Sequence, residues 1–175
     1  MEGYKYRFKQ NLPLHNEPDD IQARMLYTFR SRRNHTYWVI IDKCVHNIYV
    51  IKFHLKAHRN SERKYNVLTN HGEARTVLYT CMNIMLNEVC AKDEMASVGF
   101  VGANKEGEDP SNTQRFRIYQ TLVLTCVRAN DVYEHFANEE KSAYILIPRK
   151  ALEINPDLPD IYMEMLEDYE ERGAL

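Results

Sequence analysis

The sequence predicts an α+β fold: a mixed, mainly antiparallel sheet with two core helices in the order strands, helix, strand, helix, strand, followed by an acidic C-terminal helix. Three observations predict it. Hydrophobicity alternates with a period of two through much of the first 68 residues, and after Asn70 the period becomes helical. The composition is that of a globular chain: 175 residues, 44% apolar and 27% charged, with 23 Lys+Arg against 25 Asp+Glu. Collagen-like, low-complexity and wholly disordered classes are thereby excluded. The length fits one domain over residues 1–150 with an appended acidic segment over 151–175.

The stretch Tyr4-Lys5-Tyr6-Arg7-Phe8 alternates cleanly, as do parts of 25–30, and residues 36–42, 46–56 and 64–68 are rich in β-branched and aromatic side chains. Four or five strands in antiparallel succession are expected. Their connections carry turn formers: residues 11–20 hold two Pro, two Asn and two Asp, residues 31–34 are short and polar, and 43–45 suits a hairpin. The first helix is announced by Asn70 as N-cap with Glu73 as capping-box acid, and by the stripe Ala74, Val77, Leu78, Cys81, Met82, Met85, Val89. A short strand over 96–103 follows, expected to lie parallel to the strand before the helix. Phe116, Tyr119, Leu122, Val123 and Cys126 mark the second helix, and 142–147 a last core strand ended by Pro148. From Ala151 the chain is acidic and amphipathic, with Ile161, Met165 and Leu166 as its anchors.

No apolar run approaches the roughly 20 residues of a membrane span, and the N-terminus lacks the apolar stretch of a secretory signal. A cytoplasmic protein with no membrane partner is expected. Cys44, Cys81, Cys90 and Cys126 are widely spaced without a C-x-x-C pair, which predicts buried free thiols. His54 and His58 stand four apart, but in a strand that spacing separates them by about 13 Å. No metal site is predicted.

Charge is uneven along the chain. Residues 1–64 hold 13 Lys+Arg and 6 Asp+Glu, whereas 151–175 hold eight acids and only Arg172. Arg30, Arg32, Arg33, His35, Tyr37 and Trp38 interleave cations with aromatics, a pattern suited to phosphates and unstacked bases. The same alternation also describes a half-buried strand near an acidic tail.

Two junctions suit anion chemistry. Around Asn70, His71, Gly72, Glu73 and Ala74 a strand-like run passes through a glycine turn into a helix, where unpaired N–H groups and the helix dipole favour a phosphate. Gly102-Ala103-Asn104 ends the next strand, and ligands of such sheets bind outside the carboxyl ends of parallel strands.

These motifs resemble those of the GNAT superfamily of N-acetyltransferases, whose Q/R-x-x-G-x-G/A turn and Asn-x-x-(Ala/Ser)-x-x-(Leu/Val)-Tyr helix start frame acyl-coenzyme A. Here Gly72 and Ala74 are kept while Thr69 replaces Gln or Arg; Asn112, Ile118 and Tyr119 are kept while Arg115 replaces the small residue. The resemblance covers roughly residues 36–148. It implies a GNAT-like acyl-CoA-binding domain, an N-acyltransferase of reduced or lost activity with an amine acceptor. In that reading Asn70, His71, Gly72, Glu73, Ala74 and Asn104 hold acetyl-CoA, and Asn112 and Tyr119 are catalytic, Tyr119 protonating the departing thiolate. Glu62, His54, His58 or a water near Tyr65 are candidates for the base. Two departures stand against it: Glu73 would repel a pyrophosphate, and strands replace the two helices that wall the family's acceptor site. The chain is also similar to small GNAT-like proteins of bacteriophages and mobile elements, which would place it in a host cytoplasm. They carry the alternative: a noncatalytic interaction protein binding nucleic acid or protein through Arg30, Arg32, Arg33, Tyr37 and Trp38.

Overall fold

The computed structural model describes residues 2–65, 72–103, 107–127 and 132–171. Among these residues seven strands form one sheet: β1 (Tyr6–Leu12), β2 (Ile21–Arg30), β3 (Thr36–Cys44), β4 (Ile48–Leu55), β5 (Ser97–Val101), β6 (Tyr133–Asn138) and β7 (Ala143–Pro148), in the spatial order β1-β2-β3-β4-β5-β7-β6. β1 to β4 are an antiparallel meander, as the alternating patterns predict. β4 and β5 are parallel, so the chain must cross over between them, and α1 (Ala74–Met85) makes that crossover. Between β5 and the β6–β7 hairpin runs α2 (Gln114–Cys126), and α3 (Arg149–Ile154) and α4 (Leu158–Glu171) end the chain. Among the described residues no helix is long and apolar enough to cross a membrane.

Alternation gives the sheet two apolar faces. On one, Phe29, Tyr37, Val39, Ile51, Phe100 and Tyr144 pack against the stripes of α1 and α2. On the other, Ile48, Val50, Val101, Ile145 and Ile147 are covered by α3 and α4. The C-terminal segment therefore completes a layer of the fold. Leu158, Tyr162, Leu166 and Tyr169 are its buried anchors, and the expected Ile161 and Met165 sit half-buried at the border. The two tyrosines carry hydroxyls that reach the sheet, Tyr162 Oη donating to the His46 carbonyl at 2.6 Å and Tyr169 Oη to Asp42.

Four expectations are corrected. Among the described residues the strand before α1 is β4: Lys64 and Tyr65 of the expected strand over 64–68 form a turn, and 66–68 lie outside the described residues. β6 was unforeseen, because Tyr-Glu-His-Phe-Ala-Asn is half-buried along most of its length and shows no apolar alternation. The α1 stripe leaves the α-helical period at Leu86, where a π-helical turn runs to Cys90. Finally, Glu73 is itself the N-cap of α1, and its side chain caps no helix amide. All four cysteines are free thiols, Cys44 and Cys81 buried and Cys90 and Cys126 half-buried.

The start of α2 is fastened tightly to the end of β5. Thr113 Oγ1 donates to the Gly102 carbonyl at 2.6 Å and accepts from Phe116 N–H at 3.1 Å, which is the side-chain N-cap of the helix. Gly102 N–H donates to the Ser142 carbonyl at 2.8 Å in the β6–β7 turn. A Cβ on Gly102 would stand 2.5 Å from Phe116 N and 2.7 Å from Thr113 Oγ1. Gly102→Ala is expected to lower stability by about 1–3 kcal/mol through overpacking, read as a lower urea midpoint. An unchanged midpoint would contradict this account of the β5–α2 junction.

Candidate functional site

β4 and β5 pair only at Ile48–Ser97, Tyr49–Val98 and Val50–Gly99. Beyond Val50 and Gly99 the strands continue without a ladder, β4 to Leu55 and β5 to Val101. A slot opens through the sheet, lined by Ile51, Lys52 and Phe53 of β4, Val101 and Ala103 beside β5, Arg115 and Tyr119 of α2, and Tyr65. It is nearly full. The remaining cavity is about 10 Å³, room for about one water.

Arg115 is the main filling. It enters from the first turn of α2, is buried, donates from Nη1 to the Tyr65 carbonyl, and lies with its guanidinium carbon 5.4 Å from the Phe53 ring centroid. Burial holds its affinity for a proton below that of an exposed arginine. Tyr119, one helical turn on, is 3% exposed and packs on Phe100 with ring centroids 4.2 Å apart. Desolvation raises its phenol well above the ordinary value, so it is protonated at neutral pH.

Behind the slot lies a buried ionic network that the sequence did not disclose. Asp42 is 0% exposed and accepts from Arg24 Nε at 2.5 Å and Nη2 at 2.8 Å, with Lys52 Nζ at 3.2 Å. Tyr169 Oη also donates to Asp42, and Arg24 Nη1 bonds Glu17 at 2.5 Å. Burial alone would raise the Asp42 pKa, but the hydrogen bond from Arg24 and the Lys52 charge outweigh it and hold the carboxyl below its ordinary value. Desolvation lowers Lys52 to about 8, with Asp42 opposing the shift. The available signal was a lysine and an aspartate placed inside otherwise apolar strands, where a charge persists only when paired.

The structure separates the other expected residues. Gly72 is exposed with φ +68°, a left-handed turn that favours glycine. Glu73 is buried and faces the N-terminal segment, accepting from Tyr4 Oη at 2.9 Å and Arg33 N–H at 3.1 Å. Burial pushes its pKa up, but hydrogen bonds from Ser31, Tyr4 and Arg33 bring it below the ordinary range. A fixed carboxylate thus stands at the start of α1, beside Ala74. Asn70, His71 and Asn104 lie outside the described residues. Asn112 takes φ 49°, donates its N–H to the Glu139 carbonyl at 2.7 Å, and lies outside the slot lining.

Of the candidates for a base, Glu62 is exposed, and His54 is buried with Nδ1 2.8 Å from the Leu55 carbonyl. Burial lowers the His54 pKa, which keeps the ring neutral. His58 is half-buried and outside the slot, and only Tyr65 reaches it. Among the described residues no group of three His, Cys, Asp or Glu is arranged to hold a metal ion. Arg30, Arg32 and Arg33 are exposed. Tyr37 is not a surface residue: it is 2% exposed and stacks on Phe29 at 5.1 Å in the core, while Trp38 emerges on the opposite face.

Comparison with protein-family models, curated proteins and solved structures finds no match to this chain.

Asp42 makes a pH prediction. Its folded pKa is lower than its unfolded one, so its stabilisation is full above the unfolded value near 4 and is lost as pH falls through the folded value. Asp42→Asn leaves Arg24 and Lys52 buried without their carboxylate, and is expected to cost about 3–5 kcal/mol at pH 7. The gap between wild type and variant in urea unfolding should narrow from pH 4 toward pH 2. A gap independent of pH would contradict the assignment.

Proposed function

We propose that this chain keeps the framework of the GNAT superfamily but has closed its acyl-coenzyme A slot, and that it works by binding a partner, with acyl transfer lost. The framework is supported by the strand order, by β4 and β5 as the one parallel pair among the described residues, by α1 crossing between them, and by α2 leading from β5 to the terminal hairpin. Their divergence after three residue pairs is the opening such a ligand needs.

The observation that carries the proposal is the content of that opening. Arg115 and Tyr65 occupy it and leave about 10 Å³, far below the roughly 300 Å³ of a small-molecule pocket. Arg115 also stands at the position where the resembling helix start has Ala or Ser. At the entrance of α1 the Glu73 carboxylate opposes a pyrophosphate. The described residues therefore do not fit acyl-coenzyme A, and Tyr119 serves as a core residue on Phe100.

The test is thermal unfolding of the wild type titrated with acetyl-CoA to millimolar concentration. A ligand present at 100 times its dissociation constant stabilises a fold by about 2.7 kcal/mol, so binding would be plain. No shift is expected. A saturable shift in the wild type that Gly72→Glu abolishes would overturn the closed slot and restore the acyltransferase reading.

A further inference from the structure

The four strands β1 to β4 carry one acidic residue, Asp42, and it is fully buried. Their cations are arranged differently. Cross-strand pairing places Arg7, Thr28, Trp38 and His54 in one row on the face opposite α1 and α2. The next row pairs Arg30 with Thr36 and is flanked by Lys5, just before β1, and Lys56, just after β4. Lys5, Arg7, Arg30 and Lys56 are all exposed. Lys9, two residues beyond Arg7 at the bulge between Phe8 and Gln10, lies on this same face, its Nζ 5.1 Å from the Trp38 ring centroid.

At the end of these rows a cavity of about 350 Å³ opens between the β2–β3 turn and the chain after β4. Asn34, His35, Thr36, Lys56 and Arg59 supply its polar lining, with no carboxylate among them. The arrangement is a half-buried aromatic with cations on both sides along a sheet. Phosphates suit the cations, and a base with an open π-face suits Trp38 once the exposed Lys9 chain swings aside. A duplex keeps its bases stacked and offers nothing to that ring.

We infer that this face binds single-stranded nucleic acid, with Trp38 as a stacking platform and Arg7, Lys9 and Arg30 on the phosphates. The inference deepens the proposal of a partner-binding domain by naming the partner class. Its evidence is the sheet face alone, so an acetyl-CoA titration and a nucleic-acid titration fail separately.

Trp38 is the chain's only tryptophan, which makes it a reporter. The full chain is titrated with a short oligothymidylate while Trp38 emission is followed, and variants are compared by anisotropy of the labelled oligonucleotide. Saturable quenching is expected, with affinity falling as salt rises at a slope of about −0.7 per phosphate neutralised. Arg7→Ala and Arg30→Ala should each reduce that slope by about 0.7. Trp38→Leu should weaken binding by about 5- to 100-fold, and Trp38→Phe should restore most of it. Four outcomes overturn the inference: no binding at low salt, inorganic polyphosphate binding as tightly with unchanged emission, a duplex of the same length binding as tightly with unchanged emission, or full affinity in Trp38→Leu.

Discussion

The arrangement of this molecule depends on the short parallel contact between β4 and β5. A parallel pair cannot be closed by a hairpin, so the contact obliges α1 to cross the sheet and bury Val77, Leu78, Cys81 and Met85 against it. Because the ladder stops at Val50 and Gly99, backbone groups beyond that point face a gap. In a buried sheet, such groups need partners or filling. Arg115 supplies filling, reaching into the gap from α2 and bonding the Tyr65 carbonyl. The position of α2 is in turn fixed by Thr113, Gly102 and Ser142.

The second device lies on the other face. Asp42 gathers Arg24, Lys52 and Tyr169, and so joins β2, β3, β4 and the end of α4. Such a network gives little net stability against an apolar equivalent, yet it is costly to break at one member. It also fixes register: a one-residue slip of β3 would move Asp42 to the opposite face, into the apolar core under α1 and α2 and away from Arg24, Lys52 and Tyr169. The C-terminal helix is thereby held on the sheet by a specific bond as well as by Leu158, Tyr162 and Leu166.

What the sequence disclosed follows from which signals are periodic. The meander, α1, α2 and β7 were legible because their apolar residues recur at two or at three to four. The parallel relation of β5 to the strand before α1 followed from the crossover. β6 was hidden because an edge strand with Glu134 and His135 buries little. Tyr162 and Tyr169 escaped notice beside Ile161 and Met165, since amphipathic tyrosines read as surface as readily as core. Arg115 stands out in the sequence as a departure from the motif the helix start resembles, but only packing shows that it fills a gap. The pairing of Asp42 with Lys52 is likewise a tertiary fact, as is the burial of Tyr37 beneath a strand whose next residue is half exposed.

The β4–β5 divergence filled by Arg115 underlies both the crossover and the closed slot that we propose, and cross-strand nuclear Overhauser effects measure it directly. In isotopically labelled wild-type protein, contacts are expected between Ile48 and Ser97 and between Val50 and Gly99, with none across the continuing register between Lys52 and Val101. Contacts from the Arg115 side chain to the Phe53 ring should appear in their place. A ladder of backbone contacts continuing past Lys52, or an Arg115 side chain without contacts to Phe53 and Tyr65, would contradict the account.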